Sequence, residues 1–221
     1  MVKKRKEIIK LGFPSGLTGA YKGLAKNQLR GITLAVDQFN KKGGVLGREV
    51  KIIPKDDKLN PILTTKATKE LIYKDKIDFV VGALSAGTQL QVNKETKKAK
   101  MLFMSVAQTN ELPMAPHLGP YTFHEAITPH MNDQAIAKWT FDNLGRKWII
   151  LIADYAWGLS HIDGYKAFAK RNNVKILDII KVPFPAKDKD AFTKHFPAIL
   201  KKKPEVLLVS NAGNDQKKKT S

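Results

Sequence analysis

The residues of this sequence best suited to chemistry form a loop of small and hydroxyl-bearing side chains, running from Ser85 to Thr88. An apolar run at 77–81 and Gly82 precede the loop, and a polar run compatible with a helix follows it. This order predicts a buried strand, a tight turn and a helix N-terminus, whose free backbone N–H groups bind carboxylates or phosphates. Both hydroxyls would add hydrogen-bond donors. A purely structural alternative stays open, in which Ser85 or Thr88 only caps the helix.

Two further loops have a composition suited to binding. Residues 105–110, SVAQTN, offer small side chains, free amides and a hydroxyl after another apolar run. Two neighbouring loops of this kind can hold an anionic group by hydrogen bonds alone, without a basic side chain. In the second half, DYAWG at 154–158 follows the most apolar run, and Tyr155 or Trp157 would present a flat aromatic wall to a ligand. Core packing is the alternative for Trp157.

Patterns typical of enzymes are missing. There is no GxSxG elbow and no GxxxxGK[ST] phosphate loop, and Cys is absent. The pair Asp56 and Asp57 could bind a cation, or it forms a solvated turn or helix start. Five histidines show no metal-ligand spacing and are expected to be surface or packing residues: His117, His124, His130, His161 and His195. The sequence therefore predicts a protein that is not an enzyme, with no metal site and no cofactor.

The elements that must position these loops alternate regularly in the first half. Strands are expected at 7–13, 48–54, 77–82 and 101–106, with helices at 24–42, at 60–73 and after residue 85. Such an alternation predicts a parallel sheet with helices on both faces. Ligands of these sheets bind beyond the carboxyl ends of the strands, which is where the loops after 13, 82 and 105 would lie.

The chain changes character after the fourth strand. The Pro- and Gly-rich stretch 112–120 indicates a linker, and 121–125 is a short extended piece. A second alternation follows, with helices at 131–144, 158–172 and 188–202 and strands at 147–153, 174–182 and 205–209. The fold class is therefore α/β with two lobes, 1–120 and 121–221, each a parallel sheet with helices on both faces.

Composition restricts the possible classes of protein. Hydrophobic residues make up 43% of the 221 residues, enough for a packed core, and no apolar run approaches the roughly 20 residues of a membrane span. The formal net charge of +19 suggests an anionic partner, but lysines are spread along nearly every expected helix. Solvated helix faces explain this spread, and a basic module for nucleic acid or membrane surfaces stays open as the alternative.

The N-terminus begins with a basic run at 3–6 that is similar to the start of a signal peptide. The apolar part behind it is too short and is interrupted by Lys10. We therefore expect no signal peptide within this sequence.

The order of the motifs resembles a known family. IKLGFPSGLTGAYKG, GITLAVDQFNKKGGVLGREV, DD with NP, DFVVGALSAGTQ, SVAQTNEL and DYAWG follow one another in the order found in leucine/isoleucine/valine-binding proteins. These are the type I periplasmic solute-binding proteins of ABC transporters. The resemblance covers about residues 7–212, and its most specific part is the run that ends in GGVLGR.

The resemblance implies a two-lobed extracytoplasmic protein that closes on a small amino acid or related carboxylate in an interlobe cleft. It implies an ABC permease as partner and no nucleic acid. The implied ligand-binding positions are Tyr21, Leu84, Ser85, Ala86, Ala107, Gln108, Thr109 and Trp157. Amino-acid binders often have Ser at the position of Ala86 and Tyr at that of Trp157, so other carboxylates, including aromatic ones, stay open as ligands.

Members of this family are considerably longer than 221 residues. Their chain returns between the lobes and completes both sheets. The resemblance therefore implies a C-terminally truncated member whose second lobe is incomplete. An inactive fragment is the alternative that follows from this expectation.

Overall fold

The computed structural model describes residues 8–213 and Asp215. The chain divides into two compact units. Unit 1 takes the residues up to Ala107 and then Glu111–Ala126, and unit 2 takes Gln108–Asn110 and the residues from Ile127 onward. The sequence placed its lobe boundary at 120/121, whereas the last passage from unit 1 to unit 2 lies at 126/127. Three features of the sequence lie outside the described residues: the first residue of the expected strand 7–13, the basic run 3–6 and the lysines at 217–219.

Unit 1 is built on one five-stranded sheet. The strands are β1 (Ile8–Ser15), β2 (Glu49–Asp56), β3 (Phe79–Gly82), β4 (Phe103–Ser105) and β5 (Thr122–His124). The helices are α1 (Lys22–Lys41), α2 (Pro61–Lys69) and α3 (Ala86–Lys98), with a 3-10 turn at Gly19–Tyr21 and a π-helical turn at Glu70–Lys74. All neighbouring strands are parallel, in the order β2-β1-β3-β4-β5. The order therefore reverses between β1 and β3.

Helices cover both faces of this sheet, as the alternation predicted. Leu11 and Phe13 of β1 point to one face and pack with apolar residues of α1. Val80 of β3 and Phe103 of β4 point to the other face and pack with Leu71 and with apolar residues of α3. A parallel sheet buried on both faces needs apolar residues at successive strand positions, which explains why its strands show continuous apolar runs.

Strand β1 runs two residues past its predicted end. Pro14 pairs with Lys55 of β2, while the pairing of β1 with β3 covers only Leu11 and Gly12. A proline lacks the N–H that a strand with two partners uses, so it fits where only one partner strand remains. The expectation that Pro14 ends the strand was therefore wrong.

The Pro- and Gly-rich stretch 112–120 is a packed part of unit 1 and not a linker. Leu112 is fully buried in the core of this unit. Side chains of α3 satisfy the backbone of the stretch, because Lys97 Nζ donates to the carbonyl of Pro116 at 2.9 Å and Asn93 Nδ2 donates to that of His117 at 2.9 Å. The prolines and glycines of this stretch correctly indicate that it is neither helix nor strand, but they do not indicate whether it packs against the rest of the unit.

Unit 2 is built on a three-stranded parallel sheet of order β7-β6-β8. The strands are β6 (Lys147–Asp154), β7 (Lys175–Pro183) and β8 (Val206–Ser210). The helices are α4 (Pro129–Asn143), α5 (Ala156–Asn172), α6 (Asp190–Thr193) and α7 (Phe196–Lys202). Trp148 and Ile150 of β6 pack on the side of α4 and α5, and Ile149 and Leu151 pack against residues of α6 and α7. Successive residues of β6 point to opposite faces of the sheet and therefore contribute to two separate hydrophobic cores.

The helix expected at 188–202 is two short helices. Pro197 lies in the first turn of α7. Proline is favoured at a helix start and lacks the N–H that a helix continuing from α6 would use, so Pro197 fits the beginning of a separate helix.

The lysines that carry the charge lie at the surface. The lysines named on the expected helices are Lys66, Lys69, Lys97, Lys98, Lys166, Lys170 and the run 201–203. All of them are exposed except Lys97, which is half-buried. Within residues 8–213 and Asp215, no helix combines the length and the apolar character needed to span a membrane.

Candidate functional site

Five of the sequence-predicted positions lie at one edge of unit 1. Tyr21 follows β1, Leu84, Ser85 and Ala86 follow β3, and Ala107 follows β4. Because β1, β3 and β4 are neighbours and parallel, the segments after them leave the same edge of the sheet. This edge contains the point between β1 and β3 where the strand order reverses, which is where open α/β sheets bind ligands.

Gly82 lets β3 end close to β1. Its φ is +135°, in the region that favours glycine, and a Cβ here would lie 3.0 Å from the carbonyl oxygen of Pro14. Any larger residue would push apart the two strands at the reversal of strand order. The glycine in the sequence motif is therefore explained by the approach of β1 and β3.

Ser85 is the N-cap of α3. Its Oγ accepts from Thr88 N at 3.3 Å, and Thr88 Oγ1 accepts from Ser85 N at 3.1 Å, so the two residues form a capping box. The capping function that the sequence left open is thus present. It leaves the amides of Ala86 and Gly87 in the first helical turn, where the helix itself offers no acceptor. The turn therefore offers uncharged backbone N–H donors at the positive end of the helix dipole.

A polar network below this turn escaped the sequence analysis. Ser105, the last residue of β4, donates to Gln89 Oε1 of α3 and contacts His124 Nδ1 of β5 at 3.1 Å. Burial lowers the pKa of His124, so its imidazole stays neutral at neutral pH. The network ties α3 to the ends of β4 and β5. Its sequence signal is a polar residue one helical turn after the cap, together with a serine that closes a strand.

The acidic pair at the end of β2 holds the loop that leads to Tyr21. Asp56 accepts from Thr18 Oγ1 at 2.6 Å, and Asp57 is buried and accepts from Leu59 N at 2.9 Å and Thr64 Oγ1 at 3.0 Å. Burial raises the pKa of Asp57. Both carboxylates organise turns, and the described residues contain no group of three acidic or histidine side chains able to hold a metal.

Gln108, Thr109 and Trp157 belong to unit 2, together with Asn110. Asn110 Nδ2 donates to the carbonyl of Ser160 in α5 at 3.0 Å, and its Oδ1 accepts from the backbone N–H of His130 in α4 at 3.0 Å. The predicted loop 107–109 is therefore divided: Ala107 belongs to unit 1 and the next two residues to unit 2. Thr109 is fully buried. A single amide side chain that bridges two helices has no signature in a sequence pattern.

Trp157 stands in a row of aromatic rings after β6. The ring of Tyr155 stacks on Phe184 with centroids 4.4 Å apart and lies 5.9 Å from that of Trp157. The indole of Trp157 donates from Nε1 to Gln108 Oε1 at 3.1 Å. Gly158 permits this arrangement, because a Cβ there would come within 1.9 Å of the Ala153 carbonyl oxygen. The half-buried Trp157 thus has an anchored polar edge beside an aromatic row.

Comparison with known proteins identifies the fold family. A family model described as periplasmic binding protein matches residues 8–217. The chain belongs to the periplasmic binding protein family.

One relative is the Leu/Ile/Val-binding protein BraC3 of Rhizobium johnstonii, which is 27% identical to this chain over 187 residues. The matched region covers 82% of this chain and 49% of the relative. A periplasmic binding protein from Burkholderia mallei has a TM-score of 0.86 at 24% identity, over 95% of this chain and 55% of that one. The solute-binding protein of an R. palustris ABC transporter, solved with benzoate, has a TM-score of 0.86 at 20% identity, over 95% and 57%.

These comparisons confirm the resemblance and the predicted α/β fold with parallel sheets. The chain spans about half the length of the relatives that it matches. For this periplasmic binding protein, the structure brings Tyr21, Leu84, Ser85, Ala86 and Ala107 to one edge of unit 1. In unit 2 it brings Gln108 and Trp157 into direct contact.

Proposed function

We propose that this chain is the ligand-binding part of an extracytoplasmic solute-binding protein of an ABC transporter. It binds a small amino acid or related carboxylate by hydrogen bonds and performs no catalysis. The observation that carries this proposal is the first turn of α3, whose amides at Ala86 and Gly87 lie at the reversal of strand order in unit 1.

The physical support is a match of charge. A carboxylate gains from the partial positive charge of a helix N-terminus and from N–H groups that have no acceptor inside the helix. Ala86 is fully buried, backbone included, so the half-buried Gly87 is the residue of this turn whose N–H a ligand can approach. Ser85 retains a hydroxyl at the same point, half-buried as the helix cap. No basic side chain is needed, which fits a site whose nearby His124 is neutral.

Unit 2 offers a second set of proposed contacts at Gln108 and Trp157. The indole supplies apolar area, and the Gln108 amide supplies polar groups. The names of the relatives support two ligand classes, branched aliphatic amino acids and benzoate. An ABC permease is the proposed partner, because the R. palustris relative is described as part of an ABC transporter.

The proposal is tested by calorimetric titration of the 221-residue chain with leucine, isoleucine and benzoate. We expect saturable binding of at least one of these at one ligand per chain. A folded chain that gives no heat with any of the three, and no thermal shift at millimolar ligand, would overturn it.

A further inference from the structure

A buried hydrogen-bonded pair of an imidazole and a carboxyl group joins the two helices of unit 2 that pack on one face of its sheet. Nδ1 of His161 in α5 lies 2.5 Å from Oδ1 of Asp133 in α4, and both side chains are almost wholly removed from solvent. Neither residue was assigned a role by the sequence, which treated His161 as a surface or packing histidine. A carboxylate and an imidazole are costly to bury unless each partners the other, so the pair fixes the geometry of both.

Asp133 packs closely against α5, although its Oδ2 has no hydrogen-bond partner among the described residues. A Cβ at Gly164 would come within 2.2 Å of Asp133 Oδ2, so only glycine lets the carboxyl fit against α5. The hydroxyl of Tyr165 faces the same carboxyl, and burial together with the charge of Asp133 raises the pKa of Tyr165 to about 12. Burial also raises the pKa of Asp133 itself, opposed by His161, Tyr165 and His130. The anchor of the histidine is thus a packed group and not a mobile surface carboxylate.

His161 in turn packs against Trp157. The two rings meet edge to face, with centroids 4.5 Å apart and planes at 83°. Nε2 of His161 is buried and has no hydrogen-bond partner among the described residues. The orientation of the imidazole is therefore set by its one hydrogen bond, to Asp133, and that orientation supports one side of the indole.

The indole determines which end of the Gln108 amide faces the Trp157 ring. Trp157 Nε1 can only donate a hydrogen bond, so the group 3.1 Å from it must be the amide oxygen of Gln108. The amide nitrogen, with its two N–H donors, then points away from the indole. The Gln108 amide has both an acceptor and donors, but its acceptor is used by the indole, so only its N–H donors are left for another group.

We propose that Asp133 and His161 form a positioning pair that holds Trp157 so that Gln108 offers N–H donors, which makes unit 2 select carboxylates over neutral amides. This inference rests on the proposed function, because it assigns selectivity to the same binding protein. Neither member of the pair touches the ligand. The selectivity arises because hydrogen bonds from these N–H donors to a charged carboxylate are stronger than those to the neutral carbonyl of a ligand amide, whose N–H₂ end cannot accept at all.

The first test needs no ligand. Solvent exchange of the Trp157 indole N–H is measured by NMR, with the signal assigned through Trp157→Phe. In His161→Gln, the new amide still donates to Asp133 but the ring against the indole is lost. We expect exchange about fivefold faster, the equivalent of losing a hydrogen bond worth about 1 kcal/mol. Asp133→Asn keeps an acceptor for His161 and should leave exchange near the wild-type rate. Lys166→Ala, at an exposed position of α5, is the control.

Unchanged exchange in a folded His161→Gln variant would overturn the proposal. If that variant does not fold, Gln108→Leu decides, since it removes the acceptor from an accessible loop position. Exchange must then accelerate by a similar factor, and unchanged exchange in Gln108→Leu overturns the proposal as well.

The second test compares benzoate with benzamide by calorimetry. We expect the wild-type chain to prefer benzoate, and His161→Gln to lose about fivefold of that preference, the same hydrogen-bond equivalent. Retention of the full preference in a folded variant contradicts the positioning pair. If the wild-type chain binds neither probe, leucine and leucinamide replace them. If leucine, isoleucine and benzoate all fail to bind, the proposed function fails, while the indole exchange still decides whether the pair positions Trp157.

Discussion

Replacing Ser85 by aspartate separates the capping role of this residue from its proposed place beside a bound carboxylate. Aspartate caps a helix about as well as serine, and its charge interacts favourably with the N-terminal dipole by about 0.3–1 kcal/mol. Ser85→Asp should therefore leave the melting temperature unchanged or slightly raised. A bound carboxylate at the first turn of α3 would instead meet a like charge.

The size of the effect follows from the exposure of the site. Two like charges about 4 Å apart repel by about 1 kcal/mol in water and about 4 kcal/mol at the effective dielectric constant near a protein surface. Ser85 is half-buried, so its surroundings lie between these limits. Since about 1.4 kcal/mol corresponds to a tenfold change, affinity for a carboxylate should fall about fivefold to several hundredfold.

Calorimetric titration with benzoate and leucine checks this expectation, alongside thermal unfolding. Ser85→Asn is the matched variant, because asparagine caps as well as serine without a charge and should keep the affinity within a few-fold. Gly31→Asp adds the same charge at an exposed position of α1, where a Cβ meets no atom within 4 Å, and should not change binding. Equal affinity of the folded Asp and Asn variants would refute carboxylate binding at this turn.

Three further expectations concern the scaffold. Gly82→Ala should destabilise the protein by about 1–3 kcal/mol, because φ there is +135°; an unchanged denaturant midpoint would contradict the argument. The raised pKa of Asp57 means that the folded state binds its proton more tightly than the unfolded chain, so stability from this group is lost as pH rises above 3.8 through the folded pKa. Asp57→Asn should therefore flatten the pH dependence of the melting temperature in that window, and an unaltered slope would count against it. Asn110→Ala should cost about 1–3 kcal/mol in thermal unfolding by removing both bonds to α4 and α5. Asn110→Asp keeps the acceptor for His130 N but places a charged oxygen against the Ser160 carbonyl, so it should cost at least as much, and a smaller loss in the Asp variant would contradict the bonding scheme.

The local sequence was sufficient to predict a helix or strand where residues within that element determine where it begins and which face is buried. The cap at Asn60 before Pro61 gave the start of α2, and Asn60 Oδ1 indeed accepts from Ile62 N at 2.9 Å. The apolar run before Gly82 gave a buried strand followed by a helix, because capping and strand burial depend on neighbours a few residues away. The sequence also predicted that the loops with Ser85 and Ala107 leave neighbouring strands, since a parallel βαβ order brings carboxyl ends to one edge.

Expectations failed or fell short where distant parts of the chain decide the outcome. The stretch 112–120 lacks regular structure, but side chains of α3 anchor it, and no composition rule reveals such an anchor. The division of the loop between Ala107 and Gln108 depends on Asn110, which bonds to α4 and α5. His161 gave no signal in the sequence because its partner Asp133 lies on another helix, and only their packing creates the pair.

The sequence by itself determined the α/β alternation, the parallel sheet, the family and the residue types offered at each strand end. These follow from periodicity, capping and turn chemistry, which act over a few residues and are written in local order. The tertiary structure alone decided that Ser105 joins Gln89 to His124 and that Trp157 fixes the direction of the Gln108 amide. Hydrogen bonds between side chains far apart in the chain require a specific geometry of approach, and only the packed helices and strands provide it.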